Sequence, residues 1–228
     1  MVAVFELALK RIVRQRLMLF LMLLFPIVLI LLPQIGDEIP LVGFGLFGLV
    51  LMFSAFLLTK QVIEDRQYKT VIRIAASPTS HRDYLLGHIA AYMLVLMIQV
   101  VLFWILAQVS WRGAFGFYLW VLLFFTAFAF LSLSFSLFWH TFFKSYATSV
   151  AVYSVVANLL ALLGGMSYPL AFMPNQIRRI AVVLPTYWYA YGIELVNDTR
   201  YLTALIALSI LISFAIIFLT VGSKRRFE

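Results

Sequence analysis

The sequence predicts an all-α integral membrane protein with six transmembrane helices, for three reasons. First, 64% of its 228 residues are hydrophobic and 11% are charged, whereas a soluble domain is about half apolar and about a quarter charged. Second, six apolar runs are each long enough to cross about 30 Å of hydrocarbon, which takes roughly 20 helical residues. Third, no polar stretch is long enough for a soluble domain. We therefore expect one transmembrane domain over residues 1–228.

Residues 1–16 are predicted to form an amphipathic helix that lies in the headgroup plane. Apolar residues recur at helical spacing along one face: Val2, Phe5, Leu9, Ile12 and Val13. Basic residues lie on the opposite face: Lys10, Arg11 and Arg14. This pattern is typical of an interfacial helix. The alternative is a basic flank that only orients the first span.

The predicted spans follow in order: 17–35, 39–59, 84–109, 114–139, 147–170 and 201–221. Pro26 is expected to kink the first span. With both termini in the cytoplasm, thirteen of the 17 Lys and Arg residues lie inside, which obeys the positive-inside rule. The formal charge of +8 then follows from membrane topology, and no nucleic-acid partner is expected.

The segment 167–196 is too apolar for an ordinary loop and too interrupted for a seventh span. Three prolines divide it: Pro169, Pro174 and Pro185. We expect a re-entrant helical hairpin on the extracytoplasmic side between spans 5 and 6, because irregular backbone at that depth must be buried against protein or line a cavity. These prolines, with Gly164 and Gly165 before them, are the candidate gate residues. A hydrophobic loop on the membrane surface is the alternative.

The stretch 60–83 is a charged segment between two apolar runs. Its charged residues are Lys60, Glu64, Asp65, Arg66, Lys69, Arg73, Arg82 and Asp83. Because charged side chains at the bilayer centre are costly, the segment is expected to leave the membrane on one side. There it would offer a contact surface to a soluble partner.

A helix over residues 62–76 is predicted within the charged segment, with Asp65 and Lys69 paired across one turn. Ser77-Pro78 would end it, because the residue before proline avoids helical geometry. The alternative is a simple linker between two spans. The segment is longer than that function needs, since helix–helix connections usually take about 2–8 residues.

No catalytic or metal site is predicted. The chain contains no Cys, which excludes disulfides and thiolate metal sites. It carries no zinc-protease, nucleophile-elbow or P-loop motif. A G-x-G-x-x-G pattern at 43–48 follows no predicted strand, so it indicates close helix packing rather than a dinucleotide site.

The predicted spans contain no acidic residue, although carriers driven by ions usually need an ionisable group inside the membrane. The driving energy is therefore expected to come from elsewhere. Ser54, Ser154 and Asn158 are candidates for a substrate path, and Gln99 is a further polar residue within a span. The alternative for each is a hydrogen bond between helices.

Two groups of motifs resemble the permease subunits of ABC transporters of the type-2 exporter class. The first lies in the charged segment: Glu64-Asp65-Arg66, Lys69-Thr70 and Ala75-Ala76-Ser77-Pro78, followed by Tyr84-Leu85-Leu86-Gly87. The second runs from Gly164-Gly165-Met166-Ser167-Tyr168-Pro169 through Met173-Pro174 and Arg178-Arg179-Ile180 to Leu184-Pro185-Thr186-Tyr187-Trp188. The family usually has Glu-Arg-Glu before a Gly-Thr pair, and Gln67-Tyr68-Lys69 replaces part of that pattern. The resemblance covers essentially the whole chain.

The resemblance implies that the charged segment is a cytosolic coupling helix that contacts an ATPase. The implied contacts are Glu64, Asp65, Arg66, Lys69, Thr70, Arg73, Ser77 and Pro78. It also implies a dimer of identical or similar permeases with two separately encoded ATPase subunits, which would hold ATP and magnesium. The substrate path would lie at the dimer interface, lined chiefly by the second and fifth spans. A multi-pass protein of the plasma membrane, from a bacterium, is expected.

Three functions from different classes are therefore open. The leading one is the permease of an ATP-driven exporter for a small molecule, a lipid-like compound or a peptide. The second is a membrane scaffold or assembly factor that binds a partner without transport. The third, an intramembrane enzyme, is disfavoured because the spans lack acidic groups.

Overall fold

The computed structural model describes residues 2–31, 39–67, 81–111, 115–168 and 170–224. Within these ranges the chain contains no strand, and its α-helices are α1 (Val2–Arg14), α2 (Arg16–Leu31), α3 (Ile39–Leu58), α4 (Lys60–Gln67), α5 (His81–Trp111), α6 (Phe115–Trp139), α7 (Tyr146–Leu163), α8 (Asn175–Ala181), α9 (Pro185–Asn197) and α10 (Tyr201–Lys224). Five described stretches are long and apolar enough to cross a membrane, and there are six if the bent pair α1–α2 is counted as one span. The predicted all-α membrane fold is confirmed.

Helix α1 meets α2 at an angle of 80°, with Gln15 between them. Ala8 and Ile12 of α1 are fully buried, and α1 packs mainly on α5. Where α2 crosses a membrane, a helix at this angle lies close to the membrane plane. That orientation agrees with the amphipathic pattern of residues 1–16.

Helix α2 continues through Pro26 because another helix replaces the hydrogen bond that proline removes. Proline has no N–H, so the carbonyl of Met22, four residues earlier, loses its usual helical donor. The Nε2 atom of Gln99 in α5 lies 2.8 Å from that oxygen and donates to it. In hydrocarbon no water could do so. The third span therefore satisfies the main chain of the first.

Helices α3 and α6 form the centre of the bundle. In the most apolar 18-residue stretch of each span, 67% of residues are buried for α3 and 61% for α6, against 22% for both α7 and α10. The rings of Phe47 in α3 and Phe103 in α5 stack with centroids 3.9 Å apart, and Phe125 of α6 packs edge-on against Phe47 at 4.9 Å. Helices α7 and α10 therefore present broad faces to lipid or to another chain.

The fifth span ends at Leu163, so the prediction that it reaches residue 170 is wrong. Gly165 has φ +76°, in the left-handed region that favours glycine. The N–H of Met166 donates to the carbonyl of Ala161 at 2.9 Å, and the N–H of Gly165 donates to Leu162 at 3.3 Å. These two bonds form a Schellman motif, which ends the helix.

Two short helices, α8 and α9, follow in place of a seventh span. Pro174 directly precedes α8, and Pro185 occupies the first turn of α9, where proline costs no hydrogen bond. Helix α9 has 13 residues and is about 20 Å long at 1.5 Å per residue, which is too short to span. The predicted pair of short helices is present, and Pro169 lies outside the described residues.

We predict that the contribution of Gln99 to the stability of the protein depends on the presence of Pro26. Gln99→Leu leaves the Met22 carbonyl without a donor and should cost about 1–3 kcal/mol of stability. In a Pro26→Ala background the helix supplies its own N–H, so the same change should cost much less. The measurement is a double-mutant cycle on the Tm of the purified protein in detergent. Equal losses in the two backgrounds would contradict the assigned role of Gln99.

Candidate functional site

The charged segment begins as a direct continuation of the second span. Residues Val42–Asp65 form one stretch of 24 helical residues, about 36 Å at 1.5 Å per residue, which exceeds the hydrocarbon thickness by about one turn. Thr59, between α3 and α4, links the two helices, since its N–H donates to Ala55 four residues earlier and its carbonyl accepts from Val62 three residues later, in a tighter turn. Helix α4 therefore continues α3 as one rod without a sharp bend.

A buried ion pair joins this rod to the first helix. The Nη1 atom of Arg11 in α1 lies 3.1 Å from each carboxylate oxygen of Asp65 in α4. The hydroxyl of Tyr84 in α5 donates to Asp65 Oδ2 at 2.8 Å. The Asp65 side chain is 8% exposed and that of Arg11 is 34% exposed. Three helices thus meet at one carboxylate, and we refer to Arg11, Asp65 and Tyr84 as the carboxylate junction.

A second contact at this end of the bundle involves Lys60 and Glu64. The Nζ atom of Lys60 lies 3.2 Å from Glu64 Oε1, one turn along α4. It also lies 5.1 Å from the centre of the Tyr146 ring at the start of α7, which is a cation–π distance. Both charged side chains are about one-third exposed, so this pair contributes little to stability and can contact a partner.

The end of α3 is also tied to the turn between α6 and α7. The hydroxyl of Thr59 donates to main-chain carbonyls one turn earlier, those of Ala55 and Phe56. Its oxygen lies 3.0 Å from His140 Nε2, and His140 Nδ1 lies 3.2 Å from the Ser149 hydroxyl. With the Thr59 proton directed to these carbonyls, Nε2 donates to the Thr59 oxygen, and in the neutral imidazole Nδ1 accepts from Ser149. His140 shows no metal-binding spacing in the sequence, and its hydrogen-bond partners are brought together only by the fold.

At the other end of the bundle, the α8–α9 hairpin is held against α3 and α7. A Cβ on Gly45 would collide with the Met166 carbonyl, so this glycine permits close approach. The Tyr189 hydroxyl donates to the Phe44 carbonyl at 2.6 Å. Thr186 donates to the carbonyl of Leu160 at 2.7 Å. The predicted packing role of the 43–48 glycine pattern agrees with this contact.

Arg178 of α8 remains charged at this hairpin. Its Nε donates to the Tyr187 hydroxyl at 3.4 Å, and this hydrogen bond is the main cause that raises the pKa of Arg178. Its guanidinium also lies 5.9 Å from the centre of the Tyr191 ring. The hairpin therefore carries a fixed positive charge at its surface.

An open groove runs along the poorly buried face of α7. It is lined by Ser154, Val155, Asn158, Leu159, Leu162 and Ser167. Asn158 Nδ2 donates to the Ser154 carbonyl at 2.7 Å; Asn158 is exposed and Ser154 is half-buried. Polar side chains on a lipid-facing surface are unfavourable, so this face is expected to meet protein or a water-filled path. Ser54, by contrast, is 3% exposed and lies inside the subunit.

A family model for ABC-2 family transporter proteins matches residues 39–224. The chain belongs to this family. The match covers the second to the sixth span with the charged segment and the hairpin, which is more than half of the chain. A search of curated proteins found no match. As an ABC-2 permease, the chain is the membrane component of an ABC transporter, and membership of this family implies association with ABC ATPase subunits.

The predicted coupling residues of this ABC-2 permease are only partly described. Glu64 is half-buried, and Asp65 is buried in the carboxylate junction. The side chain of Arg66 and the residues Lys69, Thr70, Arg73, Ser77 and Pro78 lie outside the described part. Their contact with an ATPase stays a prediction. In the described residues, no group of three His, Cys, Asp or Glu side chains could hold a metal ion.

We predict that removing only the Arg11 charge from the carboxylate junction destabilises the protein more than removing the charges of both Arg11 and Asp65. Arg11→Met leaves a buried carboxylate without its cation and should cost about 3 kcal/mol, near the low end for a broken buried pair because Arg11 is partly exposed. The double variant Arg11→Met with Asp65→Leu removes both charges and should recover much of that loss. Lys10→Met, at an exposed neighbouring position, is the control and should change Tm little. A double variant less stable than Arg11→Met would contradict the assigned pairing.

Proposed function

We propose that this ABC-2 permease is the transmembrane subunit of an ATP-driven exporter, and that the charged segment receives the motion of a cytosolic ATPase. The carboxylate junction is the observation that supports this most. It joins the start of the segment, helix α4, to α1 and α5 at once. A force applied to α4 would therefore reach three helices rather than one.

The proposed coupling sequence starts in the ATPase pair, which binds ATP with magnesium and closes. Closure would displace the charged segment through Glu64, Arg66 and the residues that follow them. Because α4 continues α3 as one rod, the displacement would tilt the second span. The hydrogen bonds through His140 would pass part of it to α7. The permease residues transmit force and take no part in the hydrolysis of ATP.

A dimer of permeases with two ATPase subunits is the proposed assembly. The support is the exposed face of α7, which carries Ser154 and Asn158 among apolar residues. A substrate path there would require that face to meet a second permease copy, identical or similar. We place this assembly in the plasma membrane of a bacterium, with both termini in the cytoplasm. The substrate is a small molecule, a lipid-like compound or a peptide.

We predict that Glu64→Ala with Arg66→Ala abolishes ATPase coupling but leaves membrane insertion intact. The loss of interface side chains that carry binding energy costs about 2 kcal/mol or more, roughly thirtyfold in affinity. The measurement is co-purification of the ATPase and the ATP turnover of the complex. Arg179→Ala removes an exposed charge at the opposite end of the bundle and is the matched control.

Full transport by the Glu64/Arg66 double variant would refute the assigned coupling site. If no ATPase activity responds to any candidate substrate while binding persists, the scaffold function would replace the exporter.

We predict that Val155→Cys forms a disulfide between two copies under oxidation. The chain has no native Cys, so any disulfide between copies must form at the introduced residue. Val155 is 59% exposed on α7, and Ile206 is 58% exposed on α10, which makes Ile206→Cys the matched control. The readout is the dimer band on a non-reducing gel of membranes. Equal cross-linking at both positions would contradict an interface on α7.

A further inference from the structure

Three exposed basic side chains lie at the bend between α1 and α2. Lys10 and Arg14 are one turn apart on α1, and Arg16 begins α2 directly after Gln15. Side chains four residues apart lie on the same side of a helix, with Cβ atoms about 5–6 Å apart. Because Arg16 is only two residues from Arg14, the three cations are close together. We refer to Lys10, Arg14 and Arg16 as the basic corner.

The charge of the basic corner is not balanced by the described part of the chain. Arg11, the remaining basic residue of α1, points to Asp65 and is neutralised there. Among the described residues, no carboxylate forms an ion pair with a cation of the basic corner. Glu6 is the one acidic residue in positions 1–36, so positive charge is in excess. An anion from outside the chain can therefore balance it.

Large apolar side chains lie beside these cations. Val13, Leu17 and Phe20 are each more than half exposed, and they alternate with the cations along the chain. Helix α1 meets α2 at 80°, so the basic corner lies at the level of the headgroups where α2 enters the membrane. Basic side chains can keep their charged ends there while their stems lie along apolar surface. A lipid satisfies both features, whereas a solvated protein surface would satisfy only the charge.

We propose that the basic corner binds the phosphate of an anionic phospholipid, with the acyl chains against Val13, Leu17 and Phe20. A zwitterionic lipid offers the same tails without a net charge, so the site selects by headgroup charge. Each Lys or Arg near an anionic surface raises affinity roughly fivefold. Because α1 also carries the Arg11 that pairs with Asp65, the bound lipid holds this helix where the carboxylate junction needs it.

The test compares two lipids with identical tails, dioleoyl phosphatidylglycerol and dioleoyl phosphatidylcholine. Native mass spectrometry of the full chain in detergent measures the Kd of each lipid. The unchanged chain should bind phosphatidylglycerol more tightly. Arg14→Gln with Arg16→Gln should weaken that binding about twentyfold, two cations at roughly fivefold each, and leave phosphatidylcholine binding as it was. Equal affinity of the unchanged chain for the two lipids would overturn the proposal.

Two further double variants separate the site from net charge and from misfolding. Arg179→Gln with Arg200→Gln removes two exposed charges near the α8–α9 hairpin and should leave phosphatidylglycerol binding intact. An equal loss in both glutamine variants would show an effect of net charge alone and refute the site. Arg14→Lys with Arg16→Lys keeps both charges and should retain most of the binding, because lysine also binds phosphate. Loss of binding in this lysine variant would contradict selection by charge.

An acidic surface of a partner ATPase is the competing occupant of the basic corner. Loss of phosphatidylglycerol binding in the Arg14/Arg16 glutamine variant, with co-purification of the ATPase intact, would support the lipid site. Loss of the ATPase with unchanged lipid binding would show a protein contact and overturn the proposal. Since the lipid measurement contains no ATPase, its outcome is independent of the proposed exporter function.

Discussion

The absence of water in hydrocarbon is the constraint on which this structure depends. Every main-chain carbonyl that loses a helical donor must find another within the protein. At the Met22 carbonyl, for example, Pro26 removes the helical donor and Gln99 replaces it. The same constraint favours tyrosine hydroxyls that donate to main chain across helices, as Tyr189 does to Phe44. Helix contacts in this bundle are therefore specified by polar atoms as well as by packing.

Charged side chains are concentrated at the end of the bundle that carries α1 and α4, where the absence of water no longer constrains the structure. Asp65 is tolerated as a buried carboxylate because a guanidinium and a phenol hydroxyl satisfy it. Lys60 and Glu64 of the same helix are each about one-third exposed and stay accessible. Burial thus divides one short helix into a part that holds the subunit together and a part that can meet a partner.

Periodicity and composition predicted most of the fold, because helix and span signals are local. They failed where the outcome depended on distant partners. The contact of Asp65 with Arg11, which is 54 residues away, has no local signal, whereas the predicted pair of Asp65 with Lys69 lies outside the described residues. The end of the fifth span at Leu163 was signalled by Gly164-Gly165, but apolar residues beyond them concealed it. His140 gave no signal, since its partners lie on two other helices.

The continuity of the second span with the charged segment has a mechanical consequence. A stiff rod of about 36 Å that tilts by about 10° around one end displaces the other end by about 6 Å. One end carries Asp65, and the other lies close to Gly45, which touches the hairpin turn at Met166. A small rotation at the charged end is thereby amplified into a shift as large as one helical turn at the hairpin. The tight contact of Gly45 with Met166 lies at that far end and would take up the displacement.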